Sequence, residues 1–97
     1  MYDDIIDLIE DLIDEVINSE SLDEADQEKL IKKLETAIRF LENDPPQVKA
    51  ACGKLKAFIN QVNAFINAGR IDQSEGEALI VLTEIIRALL KCWQHEK

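Results

Sequence analysis

The chain has 97 residues, 46% of them hydrophobic and 32% charged, which excludes both an intrinsically disordered segment and a membrane-spanning one. Eleven Lys and Arg against 20 Asp and Glu leave a net charge of −9, a field that repels nucleic acid and anionic lipid. Three Gly, two Pro and one His leave long stretches without a turn signal and little from which to assemble a catalytic centre.

The first element expected covers residues 3–18. Ile5, Leu8, Ile9, Leu12, Ile13, Val16 and Ile17 recur at the helical period, and seven Asp and Glu residues fill the other side. Acids suit the positive end of a helix but not its C-terminus, and no Lys or Arg lies within the segment to pair with them. Packing must therefore hold this helix.

A second helix is expected over 22–43. Ser21-Leu22-Asp23-Glu24 has capping-box spacing, with Ser21 as the cap. Leu30, Leu34, Ala37 and Leu41, widened by Ile31, Ile38 and Phe40, make its apolar side. Asn43-Asp44-Pro45-Pro46 ends it, because a residue preceding Pro is pushed out of the helical region.

The third helix is expected over 45–68, with Asp44 as N-cap and Pro45 in the first turn. Val48, Cys52, Leu55, Ile59, Val62 and Ile66 form its core seam, joined by Phe58 and Phe65, and Gly69 reads as a left-handed C-cap. Ala50, Ala51 and Gly53 surround Cys52, and Gly53 is expected to permit close helix approach.

A fourth helix is expected over 73–94. Asp72 and Glu75 have capping-box spacing, and Ile71 can staple onto the first turn. Leu79, Leu82, Ile86, Leu89 and Trp93 form the expected seam, joined by Ala78, Ile85 and Cys92, with a polar, fraying tail over 94–97. Helices of these lengths on short loops fold back on one another. The expected class is therefore all-α, an antiparallel up-down-up-down four-helix bundle forming one domain over 1–97.

Charge is polarised along this bundle. Residues 1–44 carry 15 acids and 4 bases, and residues 45–97 carry 5 acids and 7 bases, so the halves stand at −11 and +2. Asp7, Asp11, Asp14 and Glu15 on the first helix form a candidate face for a basic partner, although solubility alone accounts for a charged face. No EF-hand loop occurs, and carboxylates on a regular helix diverge, so no metal site and no cofactor are expected.

Two cysteines sit on the last two helices. In a hairpin turning near 69–72, facing residues have numbers summing to about 141; Cys52 and Cys92 come within about one turn of that level. A Cys52–Cys92 disulfide is expected, with two buried free thiols as the alternative. No CxxC redox motif is present. A disulfide implies an oxidising, extracytoplasmic setting, and without a signal peptide the chain would be an excised domain with an added Met1.

The run Lys54-Leu55-Lys56-Ala57-Phe58-Ile59-Asn60-Gln61-Val62-Asn63-Ala64 is the most distinctive part of the chain. With Gly69-Arg70-Ile71 and Glu77-Ala78-Leu79-Ile80 it resembles the FIMAH-type helical domain of bacterial and archaeal secreted and cell-surface proteins. Leu55, Ala57, Phe58, Ile59, Asn60 and Val62 match that family's L-x-A-F-I-N-x-V helix. Leu30-Ile31-Lys32-Lys33-Leu34 resembles its L-x-x-K-L segment. The Ala78-Leu79-Ile80 spacing departs slightly, and the acidic first helix is not part of the pattern. The similarity spans about residues 4–90. It implies an extracellular accessory module and no catalytic residues.

Asn60, Asn63 and Asn67 recur along one face of the third helix. Their amides either satisfy neighbouring loop or helix-end groups or form a recognition stripe for a sugar or peptide. The expected function is a non-catalytic accessory or interaction module of a secreted or surface protein. Its partners would be neighbouring domains or a cell-wall or protein ligand, with no nucleic acid and no membrane insertion. The alternative is an acidic inhibitor or immunity-type bundle that binds a basic protein. Glu20-Ser21-Leu22-Asp23 is superficially similar to the Asp-Ser-Leu site of acyl carrier proteins, but the loop is short and Ser21 has a capping role available.

Overall fold

The fold is seen in a computed structural model that describes residues 2–95. It is all helical: α1 Asp3–Ile17, α2 Glu24–Glu42, α3 Val48–Asn67, α4 Gln73–Leu89 and the short α5 Cys92–His95, with no strand among the described residues. Each long helix touches two others, α1 against α2, α2 against α3, α3 against α4 and α4 against α1, closing a ring around one core. Within the ring α2 and α3 pack most extensively, and α1 and α4 least.

The core is built from the apolar stripes of all four long helices. Ile9, Leu12 and Val16 of α1 meet Leu30, Leu34, Ala37 and Leu41 of α2 there, with Leu55, Phe58, Val62 and Phe65 of α3 and Leu79 and Ile86 of α4. Phe58 is the largest fully buried side chain. Thr83 is also buried, and its hydroxyl donates to the Leu79 carbonyl at 2.7 Å, so the polar group enters the core already satisfied.

Each helix boundary has a local cause. Asp23, not Ser21, caps α2: its Oδ1 accepts from the Asp26 amide at 2.8 Å, while Ser21 turns toward α4. Helix α3 begins at Val48 with Gln47 as N-cap, not at Pro45 behind an Asp44 cap. Consecutive prolines account for the later start, since Pro46 holds Pro45 extended just as Pro45 holds Asp44. The Asp44–Pro45 peptide is cis. At the other end Gly69 has φ +73°, its amide donates to Ile66 O and that of Arg70 to Phe65 O, the paired bonds of a Schellman cap.

Helix α4 departs most from expectation. It does not run to residue 94; Lys91 has φ +56°, the chain turns there, and Cys92–His95 forms α5. At about 100° per residue, an unbroken helix would have turned Cys92 about 140° from Leu79 and brought Trp93 within about 40° of it. The break reverses both: Cys92 is buried and Trp93 is 62% exposed. The expected seam is rotated as well. Gly76, Leu79, Thr83 and Ile86 face the core, with Leu90 buried just past the helix end, whereas Leu82 and Leu89 are exposed. Of the tail expected to fray, Gln94 and His95 belong to α5, and 96–97 lie outside the described residues.

Gly76, not Gly53, marks the close helix contact. A Cβ on Gly76 would lie 2.6 Å from Ile66 Cγ1 and Cδ1, whereas one on Gly53 would meet nothing within 4 Å. Gly53 is on the solvent side of α3. The same Gly76 position lies 3.4 Å from Ile71 Cγ2, which puts the buried Ile71 against the first turns of α4 as a staple does.

Candidate functional site

Specific bonds hold two ends of the molecule. At one, Cys52 and Cys92 form a disulfide, with Cα atoms 5.5 Å apart, joining the start of α3 to α5. At the other, the Arg70 guanidinium just beyond α3 donates to both carboxylate oxygens of Asp26 in the first turn of α2, each at 3.1 Å. Both contacts come from Nη1, and because Asp26 is almost wholly buried this nitrogen supplies the charge compensation that lost hydration no longer gives.

Beside that ion pair the α1–α2 connection docks on the start of α4. Ser19 and Ser21 hydroxyls donate to Glu75 Oε2 at 3.1 and 2.9 Å, and the Asp72 amide donates to Ser21 Oγ at 3.0 Å. Glu75 therefore does not close a capping box onto Asp72; Ser21 takes the amide instead, from across the bundle. Ser74 Oγ donates to Asp72 Oδ2 at 2.6 Å, and this bond holds the Asp72 carboxyl below its ordinary pKa. The Ser21 hydroxyl is thus engaged in a structural knot between helices. The polar cluster fixes the loop on α4: the two hydroxyls share one Glu75 oxygen, and no His lies among these residues.

The candidate binding residues lie apart from one another. Asp7, Asp11, Asp14 and Glu15 are exposed along the outer side of α1. Asp7 borders a groove with Tyr2, Ile6 and Leu41, and Glu15 borders another with Asn18, Ala78 and Leu79. Asn60, Asn63 and Asn67 are exposed on α3, and none of their side chains bonds another described residue. His95 lines a surface groove with Pro46, Gln47, Val48, Lys49 and Ala50. Among the described residues, no group of three or more His, Cys, Asp or Glu is placed to hold a metal ion, and no helix is long and apolar enough to cross a membrane.

Periodicity missed one surface. Val81, Leu82, Ile85 and Leu89 on α4, with Trp93 on α5, are 38% to 62% exposed. An exposed apolar strip along one helix is a feature of interaction surfaces, and Trp93 is exposed separately beside Glu84, Arg87 and Ala88. The signal was present in the sequence: between Ala78 and Leu90, apolar residues occupy far more of the helix circumference than one core stripe needs, and Gly76 and Thr83 mark the narrow side.

Comparison with known proteins assigns the chain to one family. Neither curated proteins nor solved structures give a match. A family model for the FIMAH domain matches residues 6–88, from the second turn of α1 almost to the end of α4. The chain belongs to the FIMAH domain family.

Proposed function

We propose that the chain is a non-catalytic accessory module of a secreted or surface-attached multidomain protein, and that it attaches, spaces or stabilises a neighbouring domain. The FIMAH match over residues 6–88 carries this reading, since the family is one of structural and accessory domains. The Cys52–Cys92 disulfide is compatible with an oxidising, extracytoplasmic location. We take the helices to run up-down-up-down and antiparallel. The short connections favour it, as does the meeting of successive ends: Cys52 with Cys92, Arg70 with Asp26, and Tyr2 with Leu41 and Asn43. The row Asn60, Asn63 and Asn67 is a proposed polar contact for a sugar or peptide ligand.

The test is deletion of this domain from the full reading frame. Under this reading the parent protein is exported and loses surface retention or neighbour-domain stability, with catalytic constants of adjacent domains unchanged. A parent that stays in the cytoplasm refutes it. A second reading, an acidic inhibitor of a basic protein, is favoured by the exposure of Asp7, Asp11, Asp14 and Glu15. It requires binding to a basic enzyme that weakens steeply with salt.

A further inference from the structure

The exposed apolar strip of α4 lies beside the acidic helix. Ala78, Leu82, Ile85 and Leu89 step by four, three and four residues, so they fall within about 40° of one line along the helix. All four are exposed, Leu89 by 54%, whereas Trp93, past the break at Lys91, borders a separate groove with Glu84, Arg87 and Ala88. Ala78 and Leu79 border a groove with Glu15 and Asn18, whereas Gly76 abuts Ile66 of α3. The strip therefore runs on the α1 side of α4, along the ring's least extensive contact. Asp4, Leu8 and Asp11 fall within about 40° of Glu15 on α1, so three carboxylates line the bank facing the strip.

We propose that this strip and its acidic bank bind a basic amphipathic helix presented by another protein. The partner's apolar side covers Leu82, Ile85 and Leu89, and its Lys or Arg flank meets Asp4, Asp11 and Glu15. An amphipathic helix laid in a groove uses this four-three-four anchor spacing, and about three turns span Ala78 to Leu89. Charge selects this occupant over a second copy: each copy carries −9, and packing α4 on α4 would bring two acidic α1 helices together. The proposal rests on the interaction-module reading only in taking the partner to be a protein.

The test titrates the oxidised domain into a fluorescein-labelled Leu/Lys amphipathic helix of about 18 residues, with a Leu/Glu helix as comparison. Fluorescein anisotropy reports binding. Saturable binding is expected, with amide shifts in wild-type protein confined to α1 and α4. Affinity should fall about tenfold or more in Leu82→Ser/Leu89→Ser and several-fold in Asp11→Asn/Glu15→Gln, with no change in Glu28→Gln/Glu35→Gln. It should also weaken between roughly 50 and 300 mM salt. Amide shifts elsewhere, equal binding of the Leu/Glu helix, or undiminished binding by a folded Leu82→Ser/Leu89→Ser protein would overturn the proposal. So would a wild-type dimer in sedimentation that this double substitution dissolves. A parent protein whose surface retention needs the domain but tolerates the double substitution fails the strip alone and leaves the module reading standing.

Discussion

Helices α3 and α4 have similar apolar content and opposite surroundings. In α3 most of the expected seam faces the core: Cys52, Leu55 and Val62 are fully buried, Val48 and Ile66 pack at the margin, and Ile59 alone is half-buried and off the core cluster. Specific bonds also hold both ends of α3, through Cys52 and through Arg70 just past its cap. In α4 the expected seam splits, Leu79 and Ile86 going inward while Leu82 and Leu89 stay in solvent. Hydrophobicity thus commits α3 to the fold, but in α4 it is divided between the fold and a surface. The narrow side of α4, with Gly76 against Ile66, is the side that lets two helices close up.

The largest effect should come from the bond that ties α3 to α5, just past the end of α4. Reduction, or Cys52→Ala/Cys92→Ala, opens a loop of sequence separation 40 and should cost about 4 kcal/mol in urea unfolding, the entropy that the cross-link removes from the unfolded chain. A change below about 1 kcal/mol would mean that packing alone fastens α3 to α4.

The next test breaks the comparison within α4 itself. Ile86→Ala should cost about 2–5 kcal/mol, whereas Leu89→Ala, three residues on, should stay within about 0.5 kcal/mol. Equal losses in thermal or urea unfolding would show that the two faces are not distinct. Arg70→Ala ranks third, at about 1–2 kcal/mol. It strands the buried Asp26 carboxylate, but its own side chain is 54% exposed, and solvent reduces the loss. Asp26→Asn/Arg70→Ala should recover part of it.

The smallest effect is electrostatic and sits at the α4 N-terminus. Because Ser74 lowers the Asp72 pKa in the fold, the stabilisation is present above the ordinary carboxylate pKa of 3.8 and disappears as pH falls through the lower folded value. Ser74→Ala should therefore be less stable than the wild type at neutral pH, with the gap closing in acid. Urea midpoints at both pH values measure it. A gap that persists unchanged in acid would assign the Ser74 effect to helix propensity instead.

Much of this fold was legible because its signals are local. The apolar repeats of α1 and α2 locate their buried apolar residues, although Ile17 at the end of the α1 repeat is 52% exposed; Gly69 announces the Schellman cap, and the hairpin register brings Cys52 near Cys92. The capping errors at Ser21 and Glu75 share one cause. Ser21 and Glu75 have the spacing of local caps, yet they bond each other across the bundle, where the docked loop offers a better-placed partner. The left-handed turn at Lys91 carried no signal, since Lys at that conformation is uncommon and nothing nearby replaces it with Gly.

What the sequence by itself determined is the number of long helices, most of their boundaries and the uneven charge that leaves α1 acidic. These depend on residues three or four apart and on the covalent order of charges. What only the tertiary structure decided is the rotation of α4 about its axis and the break that turns Cys92 in and Trp93 out. An apolar arc wider than one core face can be set at several angles with little local preference. The choice falls to the neighbours, to the space that Gly76 leaves beside Ile66 and to the disulfide partner waiting on α3.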